Sequence, residues 1–183
     1  MLIEDLYLLE KFIGPPLKDS FIEYYNFNEK QASQAIEYYR EYFKTKGMFG
    51  NKVYEHMEHL LISLKKSGLR LIVATSKPTD FAEHILKHFN LDRYFDCIIG
   101  SNLDGTRIKK GEIIKYIIDK YNIGNFNEVV MIGDRKHDIM RVHENNIDSI
   151  GVTYGYGSHE ELKNARATYI VDSVQNIIED IIA

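Results

Sequence analysis

The sequence feature that most constrains the fold is a change of pattern near residue 68. After this point short apolar segments alternate with segments of helical periodicity, whereas the preceding residues show helical periodicity alone. The apolar segments are almost uninterrupted, as expected for strands that are covered on both faces. Five strands are predicted, at 69–75, 97–100, 129–133, 147–152 and 169–171.

The region before this change is predicted to be entirely helical. Apolar residues recur at helical spacing up to a Gly-Pro-Pro segment at 14–16, which ends the first helix. Asn28 followed by Gln31 predicts a capping box at the start of a helix over about 28–46. A further helix is predicted over about 53–66.

Helices are also predicted between the strands, which indicates a Rossmann-like α/β fold with a parallel sheet and helices on both faces. Ser158 followed by Glu161 predicts a capping box for one of them. The chain is therefore expected to divide into a helical region at 1–67 and an α/β region at 68–183. The predicted helices of the second region lie at about 79–89, 111–121, 137–145 and 159–165, with a last one from about 174.

Composition excludes several classes of function. With 44% hydrophobic and 27% charged residues the chain has an ordinary globular composition. Its 23 basic and 27 acidic residues give a net charge of −4, which argues against nucleic-acid binding. No segment approaches the roughly 18 apolar residues of a membrane span. Glu4 and Asp5 stand where a secretory signal would be basic, so a cytoplasmic location is expected.

Polar residues follow the predicted strands at the sheet edge where α/β folds bind ligands. Ser76 follows the first strand, and a lysine pair at 109–110 precedes the 111–121 helix. Asp134 ends the third strand, and Asp138 lies one helical turn later, so both carboxylates can face one point. Such oxygens suit Mg²⁺, and the serine and lysine suit a phosphoryl group. Each residue alone is also common as a cap or turn, but their combination favours a functional site.

Several segments together resemble the haloacid dehalogenase superfamily of phosphatases, most closely its phosphoglycolate phosphatase and 5′-nucleotidase-like branch. The Gly-Asp-Arg-x-x-Asp segment within 129–139 is the most specific of them. The segment KFIGPPLKDSF at 11–21 resembles the helical cap of that branch. The other matching segments are VATSKP, RIKKGEII, VVMIGDRKHDI, IGVTYGYGS and YIVDS.

The resemblance implies a magnesium-dependent phosphatase acting on a small phosphorylated metabolite or nucleotide. Ser76 would bind the phosphoryl group, and Lys110 would be the catalytic, phosphate-binding lysine, with Lys109 as the second choice. Asp134 would be a metal ligand, and Asp138 would support the metal site. Members of the family transfer the phosphoryl group to an aspartate and then hydrolyse the aspartyl phosphate.

The sequence departs from this family at the nucleophile. The family carries Asp-x-Asp-Gly-Thr after its first core strand, before the cap. Here the one Asp-Gly-Thr is at 104–106, with Asn102 in place of the first acidic residue, and is interpreted as a loop. We therefore expect this chain to lack phosphatase activity and to bind magnesium weakly. A misplaced start codon is favoured over truncation or gene decay, because Ser76, Lys110 and the two aspartates are intact.

The absent segment would also remove the central strand of the sheet, between the first and third predicted strands. Two unpaired strand edges would result, and such edges favour pairing with another chain. We expect the gap to be closed by direct pairing of these strands, by residues 1–10, or by a partner subunit, which would allow a homo-oligomer.

Two other function classes compete with the enzyme. One is a non-catalytic phosphate-binding, metal-binding or interaction module derived from the same fold. The other is a receiver-like signalling domain, which would need an acidic pair after an early strand and a lysine after the last. That order is absent, and the helical region 1–67 has no place in a receiver. The substrate stays open among a small phosphorylated acid, a nucleotide and a sugar phosphate.

Overall fold

A short 3₁₀ helix and two α-helices form the first of two compact units, which divide between residues 51 and 52. The structure is a computed structural model that describes the backbone of residues 6–182 and the side chains of residues 9–179. The 3₁₀ helix covers Leu6–Phe12, α1 covers Leu17–Tyr25 and α2 covers Glu29–Tyr42. A π-helical turn, Phe43–Gly47, extends α2 and completes the predicted 28–46 helix.

The capping box predicted at the start of α2 is confirmed. The Asn28 side chain accepts a hydrogen bond from the Gln31 amide at 3.0 Å, and the Gln31 side chain accepts one from the Asn28 amide at 3.0 Å. Before it, the Phe12 ring lies 5.3 Å from Phe21 and 5.6 Å from Tyr25, so α1 is anchored by an aromatic cluster. The part of the predicted first helix at 1–5 lies outside the described residues.

Strands and helices alternate through most of the second unit, which confirms the α/β prediction. Its first helix, α3, covers Met57–Lys66 and precedes the first strand. The strands are β1 Ile72–Pro78, β2 Cys97–Ser101, β3 Val130–Gly133, β4 Asp148–Val152 and β5 Tyr169–Val171. The remaining helices are α4 Thr79–His88, α5 Lys110–Tyr121, α6 Lys136–His143, α7 His159–Asn164 and α8 Val174–Ile182.

The strands are parallel but form two separate sheets within the described residues. One sheet contains β1 and β2, and the other has the order β3-β4-β5. The expectation that β1 and β3 pair directly is wrong for this part of the chain, because neither sheet contains both. Residues 6–10 are helical and supply no strand, while 1–5 lie outside the described part. Closure by a partner stays a prediction.

Helix α5 links the two sheets by burying residues on two sides. Ile113 and Ile117 pack with Ile99 of β2, whereas Ile114 packs with Val142 of α6 and with Ile147, which precedes β4. All of these side chains are buried, so the start of α5 is fixed relative to both β1 and α6. This placement determines where Lys110 can reach.

Helix α3 covers a face of the second sheet. Leu60 and Leu64 share a buried cluster with Ile150 and Val152 of β4 and with Ile177 of α8. The helix therefore belongs to the second compact unit. The functional division into a cap at 1–67 and a core at 68–183 stays a prediction. Within the described chain, none of the helices is long and apolar enough to span a membrane.

Candidate active site

Lys110 is the residue at which β1, α5 and α6 meet. It stands at the first position of α5, and its Nζ donates a 2.9 Å hydrogen bond to the Ala74 carbonyl on β1. The same Nζ lies 2.9 Å from Oδ1 of Asp138, in the first turn of α6. Only 12% of the Lys110 side chain and 13% of the Asp138 side chain are exposed. The structure thus brings together two of the four predicted site residues in a shielded ion pair.

Asp138 uses its second carboxylate oxygen to hold the start of α6. Oδ2 accepts a 3.2 Å hydrogen bond from the Arg135 amide, as the acidic member of a capping box does. A β-carbon on Gly133 would lie 2.3 Å from the Asp138 β-carbon, so the close approach of β3 and α6 requires glycine there. Both oxygens of Asp138 therefore have donors within the protein.

Asp134 follows Gly133 and is held by the loop after β4. Its Oδ2 accepts a 2.9 Å hydrogen bond from the Tyr156 amide. A β-carbon on Gly155 would lie 2.3 Å from the Asp134 β-carbon, and one on Gly157 would lie 2.0 Å from the Asp134 carbonyl oxygen. The two glycines let the backbone wrap around Asp134, a role that the sequence analysis missed although both glycines closely follow a predicted strand.

Ser76 lies on β1, which continues past the predicted end at residue 75. It is half-buried and stands two residues after Ala74, the carbonyl that receives the Lys110 hydrogen bond. The structure therefore connects Ser76 to the Lys110–Asp138 pair through the β1 backbone. Asp134 is connected to the pair in the same way, through Gly133.

Glu161 is a further member of the site that the sequence analysis assigned only to its own helix. The Ser158 hydroxyl accepts a 3.1 Å hydrogen bond from the Glu161 amide, which confirms half of the predicted capping box. The Glu161 carboxylate instead reaches α6, where Oε1 accepts hydrogen bonds from Arg135 Nε and the Lys136 amide, both at 2.9 Å. Burial raises the pKa of Glu161, but these two donors and their charges outweigh it, so the net pKa is lowered.

The charge of Asp134 acts on two tyrosine side chains, Tyr54 and Tyr154. The Tyr54 and Tyr154 ring centroids are 4.9 Å apart, with the planes at 70°. Burial, the neighbouring Tyr54 and the charge of Asp134 raise the pKa of Tyr154 to about 12. The pKa of Tyr54 is also raised, first by burial and then by Asp134 and Tyr156. The Asp134 carboxylate and these phenols thus share one electrostatic environment.

The donor set fits a magnesium ion through Asp134. Magnesium in proteins commonly takes one or two carboxylates and completes its shell with water and substrate phosphate. Asp134 presents a hard carboxylate oxygen that a backbone amide holds in place, whereas both Asp138 oxygens face protein donors. Within the described part of the chain, no group of three or more His, Cys, Asp or Glu residues could hold a metal.

Comparisons with known proteins show the family to which this chain is similar. Residues 5–152 match the family model described as haloacid dehalogenase-like hydrolase. The chain is 44% identical over 165 residues to a 5′-nucleotidase from Pseudomonas aeruginosa, which covers 90% of this chain and 74% of the relative. It is 31% identical over 126 residues to a phosphoglycolate phosphatase from Colwellia psychrerythraea, covering 69% of this chain and 55% of that protein.

A solved structure is similar over the whole chain. It is the crystal structure of a predicted phosphatase from Clostridium acetobutylicum, with 55% sequence identity and a TM-score of 0.96. The match covers 100% of this chain and 84% of the other. The chain thus spans about half of the phosphoglycolate phosphatase and larger shares of the other two proteins.

Proposed function

Because the chain belongs to the haloacid dehalogenase-like hydrolase family, we propose that its site binds the phosphoryl group of a small phosphorylated metabolite or nucleotide with Mg²⁺, for phosphomonoester hydrolysis. The Lys110–Asp138 ion pair is the observation that carries this proposal. It holds a cation against β1, two residues before Ser76, and α/β folds bind ligands beyond the carboxyl ends of such strands.

Lys110 has the capacity to bind a phosphoryl oxygen. An ammonium group has three N–H donors. Two are directed at the Ala74 carbonyl and the Asp138 carboxylate, which leaves the third for a ligand. In this proposal Asp138 fixes the position of the Lys110 charge, and Lys110 offsets negative charge on the phosphoryl group during transfer.

Ser76 and Asp134 would complete the binding site. The Ser76 hydroxyl, two residues before β1 ends, would donate a hydrogen bond to another phosphoryl oxygen. Asp134 would be the direct ligand of Mg²⁺, while Asp138 would support the site through Lys110 and the α6 cap. The metal would supply charge neutralisation on the phosphoryl oxygens.

Asp104, the acidic residue of the Asp-Gly-Thr segment at 104–106, is a poor candidate for the nucleophile. Asp104 Oδ1 accepts hydrogen bonds from the Thr106 amide at 2.9 Å and the Thr106 hydroxyl at 2.7 Å. The Asn102 side chain donates to the same hydroxyl at 2.8 Å, which closes the loop on itself. We therefore propose that these 183 residues alone bind phosphate, and magnesium weakly, but do not hydrolyse phosphomonoesters.

A non-catalytic phosphate-binding module is the second candidate, because the 183 residues contain no Asp-x-Asp-Gly-Thr segment. A measurement of phosphomonoester hydrolysis distinguishes such a module from an enzyme. Extending the chain with an upstream segment that carries the motif would give hydrolysis if the fold serves an enzyme, and binding alone if it serves as a module.

Calorimetry and a hydrolysis assay would test these proposals. We expect inorganic phosphate and Mg²⁺ to bind, and Lys110→Met to reduce phosphate binding, while Lys115→Met, which removes an exposed lysine of the same helix, leaves it unchanged. Absence of phosphate binding would overturn the proposal. Magnesium-dependent hydrolysis of p-nitrophenyl phosphate that survives purification but is lost in Asp134→Ala would refute the inactivity of the chain.

The expectations about setting and partners also stay predictions. They are a cytoplasmic location, no nucleic-acid partner, and a homo-oligomer formed through the free edges of β1 and β3.

A further inference from the structure

An exposed aromatic ring lies beside the candidate metal ligand. Tyr54 is 44% exposed, although its ring meets Tyr154 edge to face at 4.9 Å. Tyr154 directly precedes Gly155, the residue whose backbone packs against the Asp134 side chain. The ring of Tyr54 is therefore linked to Asp134 through the adjacent residues Tyr154 and Gly155.

Tyr154 provides a rigid base for this ring. It packs against the buried cluster that contains Leu60, Leu64 and Ile150. A half-buried aromatic ring fixed in the core can orient a second ring, because edge-to-face pairs have a preferred geometry. Burial raises the pKa of Tyr154, which is consistent with a ring that is fixed in the core.

A cavity of about 490 Å³ adjoins the exposed part of Tyr54. Its volume falls within the range of small-molecule sites. It is lined by Lys52, Val53, Tyr54 and Glu55. The lysine and glutamate give donors and acceptors with no net charge, which suits an uncharged polar ring better than a carboxylate or a second phosphate.

We propose that Tyr54, held by Tyr154, is a specificity-determining residue that stacks on the base of a nucleoside monophosphate whose phosphate lies at Lys110 and Asp134. This inference rests on the proposed function, since it needs the phosphate at that site. Every base has a π face, so the ring selects a planar aromatic leaving group over an aliphatic one without selecting a particular base.

Calorimetry with three probes tests the proposal on the full 183-residue chain with Mg²⁺. The probes are uridine 5′-monophosphate, phosphoglycolate and inorganic phosphate. We expect Tyr54→Leu to weaken uridine monophosphate binding by about tenfold, the range of one base stacked on an aromatic ring. Tyr54→Phe should keep the affinity, and inorganic phosphate should bind all variants equally. Tyr116→Leu, which removes a similarly exposed ring at 42%, should behave as wild type.

The outcomes separate this inference from the function on which it rests. If phosphate binds but Tyr54→Leu leaves uridine monophosphate affinity unchanged, the aromatic contact is refuted and the phosphate site stands. If the wild-type chain binds none of the probes, both fail. Should Tyr54→Leu not fold, nuclear Overhauser contacts between the uracil protons and the Tyr54 ring in the wild-type chain decide: their presence supports the stack, and their absence in the bound state overturns it.

Discussion

Lys110 Nζ lies 2.9 Å from Asp138 Oδ1, and about seven eighths of each side chain is shielded from solvent. The same ammonium donates to the Ala74 carbonyl, so a single cation joins β1, the start of α5 and the start of α6. Because β1 and β3 belong to separate sheets in the described chain, this contact holds together elements that no strand pairing connects. It also positions the strand that carries Ser76 relative to the strand that precedes Asp134.

Removing either partner of this ion pair is expected to destabilise the fold. Lys110→Ala and Asp138→Ala should each lower the free energy of unfolding by about 3 kcal/mol, because each leaves a shielded charge without its partner. The double variant should lose less than the sum of the single losses, since it leaves neither charge behind. Urea denaturation of wild type, the two single variants and the double variant measures the coupling energy between Lys110 and Asp138.

The Arg141–Glu144 pair on α6 is the matched control. Its side chains are 48% and 54% exposed, so a double-mutant cycle there should give a coupling below about 1 kcal/mol. A coupling at Lys110–Asp138 as small as this one would contradict the structural role of the shielded pair.

Adding one methyl group at Gly155 is expected to displace Asp134. In Gly155→Ala the new carbon would fall 2.5 Å from Asp134 Oδ2 and 2.3 Å from its β-carbon, so the carboxylate must move. We expect a loss of about 1–3 kcal/mol of stability from overpacking, together with weaker Mg²⁺ binding. Thermal denaturation and calorimetric metal titration measure the two effects.

Gly124→Ala provides the comparison, because a β-carbon there meets no atom within 4 Å. It should leave metal binding unchanged and stability nearly so. If Gly155→Ala bound Mg²⁺ as tightly as Gly124→Ala, the position of Asp134 would not matter for the metal.

Local signals predicted most of the fold. The apolar segments located all five strands to within a few residues, and the Asn28–Gln31 pair located the start of α2, because both depend on neighbouring residues. The helix predicted over 53–66 starts late, at Met57, since His56 adopts a left-handed conformation with φ of 61°. In that non-helical stretch, Tyr54 contacts Tyr154, a partner far away in sequence that periodicity cannot reveal.

The candidate site also contains residues that the sequence predicts and residues that only tertiary contacts reveal. Ser76, Lys110, Asp134 and Asp138 are predicted on the principle that the ends of parallel strands meet at one edge. The structure brings Lys110 and Asp138 into contact, although β1 and β3 lie in separate sheets within the described residues. Glu161 could not be predicted, because its capping pattern with Ser158 accounts for it locally while its carboxylate binds Arg135 and Lys136. The sequence also left open which carboxylate oxygens are free for a metal, a matter of tertiary hydrogen bonding.

Replacing the Glu161 carboxylate is expected to make stability less dependent on acid pH. Its pKa is lowered from 4.5, so the ionised form stabilises the fold above pH 4.5, and this contribution is lost as the pH falls through the lower folded-state pKa. Glu161→Gln should cost about 1–2 kcal/mol at pH 7, because it weakens the hydrogen bonds that Arg135 and Lys136 donate.

Urea denaturation between pH 7 and 3 measures this difference, with Glu160→Gln as the control. Glu160 is an exposed carboxylate on the same helical turn, and its replacement should leave the stability at pH 7 unchanged. Equal acid sensitivity of wild type and Glu161→Gln would show that the contacts of Glu161 with α6 do not favour its ionised form.

The raised pKa of Tyr154 predicts a loss of stability at alkaline pH. Burial, Tyr54 and Asp134 together raise this pKa to about 12 in the folded chain, against about 10 for an unperturbed tyrosine. The neutral phenol is therefore favoured by folding: its contribution is complete below pH 10 and is lost as the pH rises through 12. Absorbance at 295 nm should show a phenol titrating near pH 12 that disappears in Tyr154→Phe. That variant should also lose less stability than wild type between pH 10 and 12, and an equal loss in the two proteins would contradict the raised pKa of Tyr154.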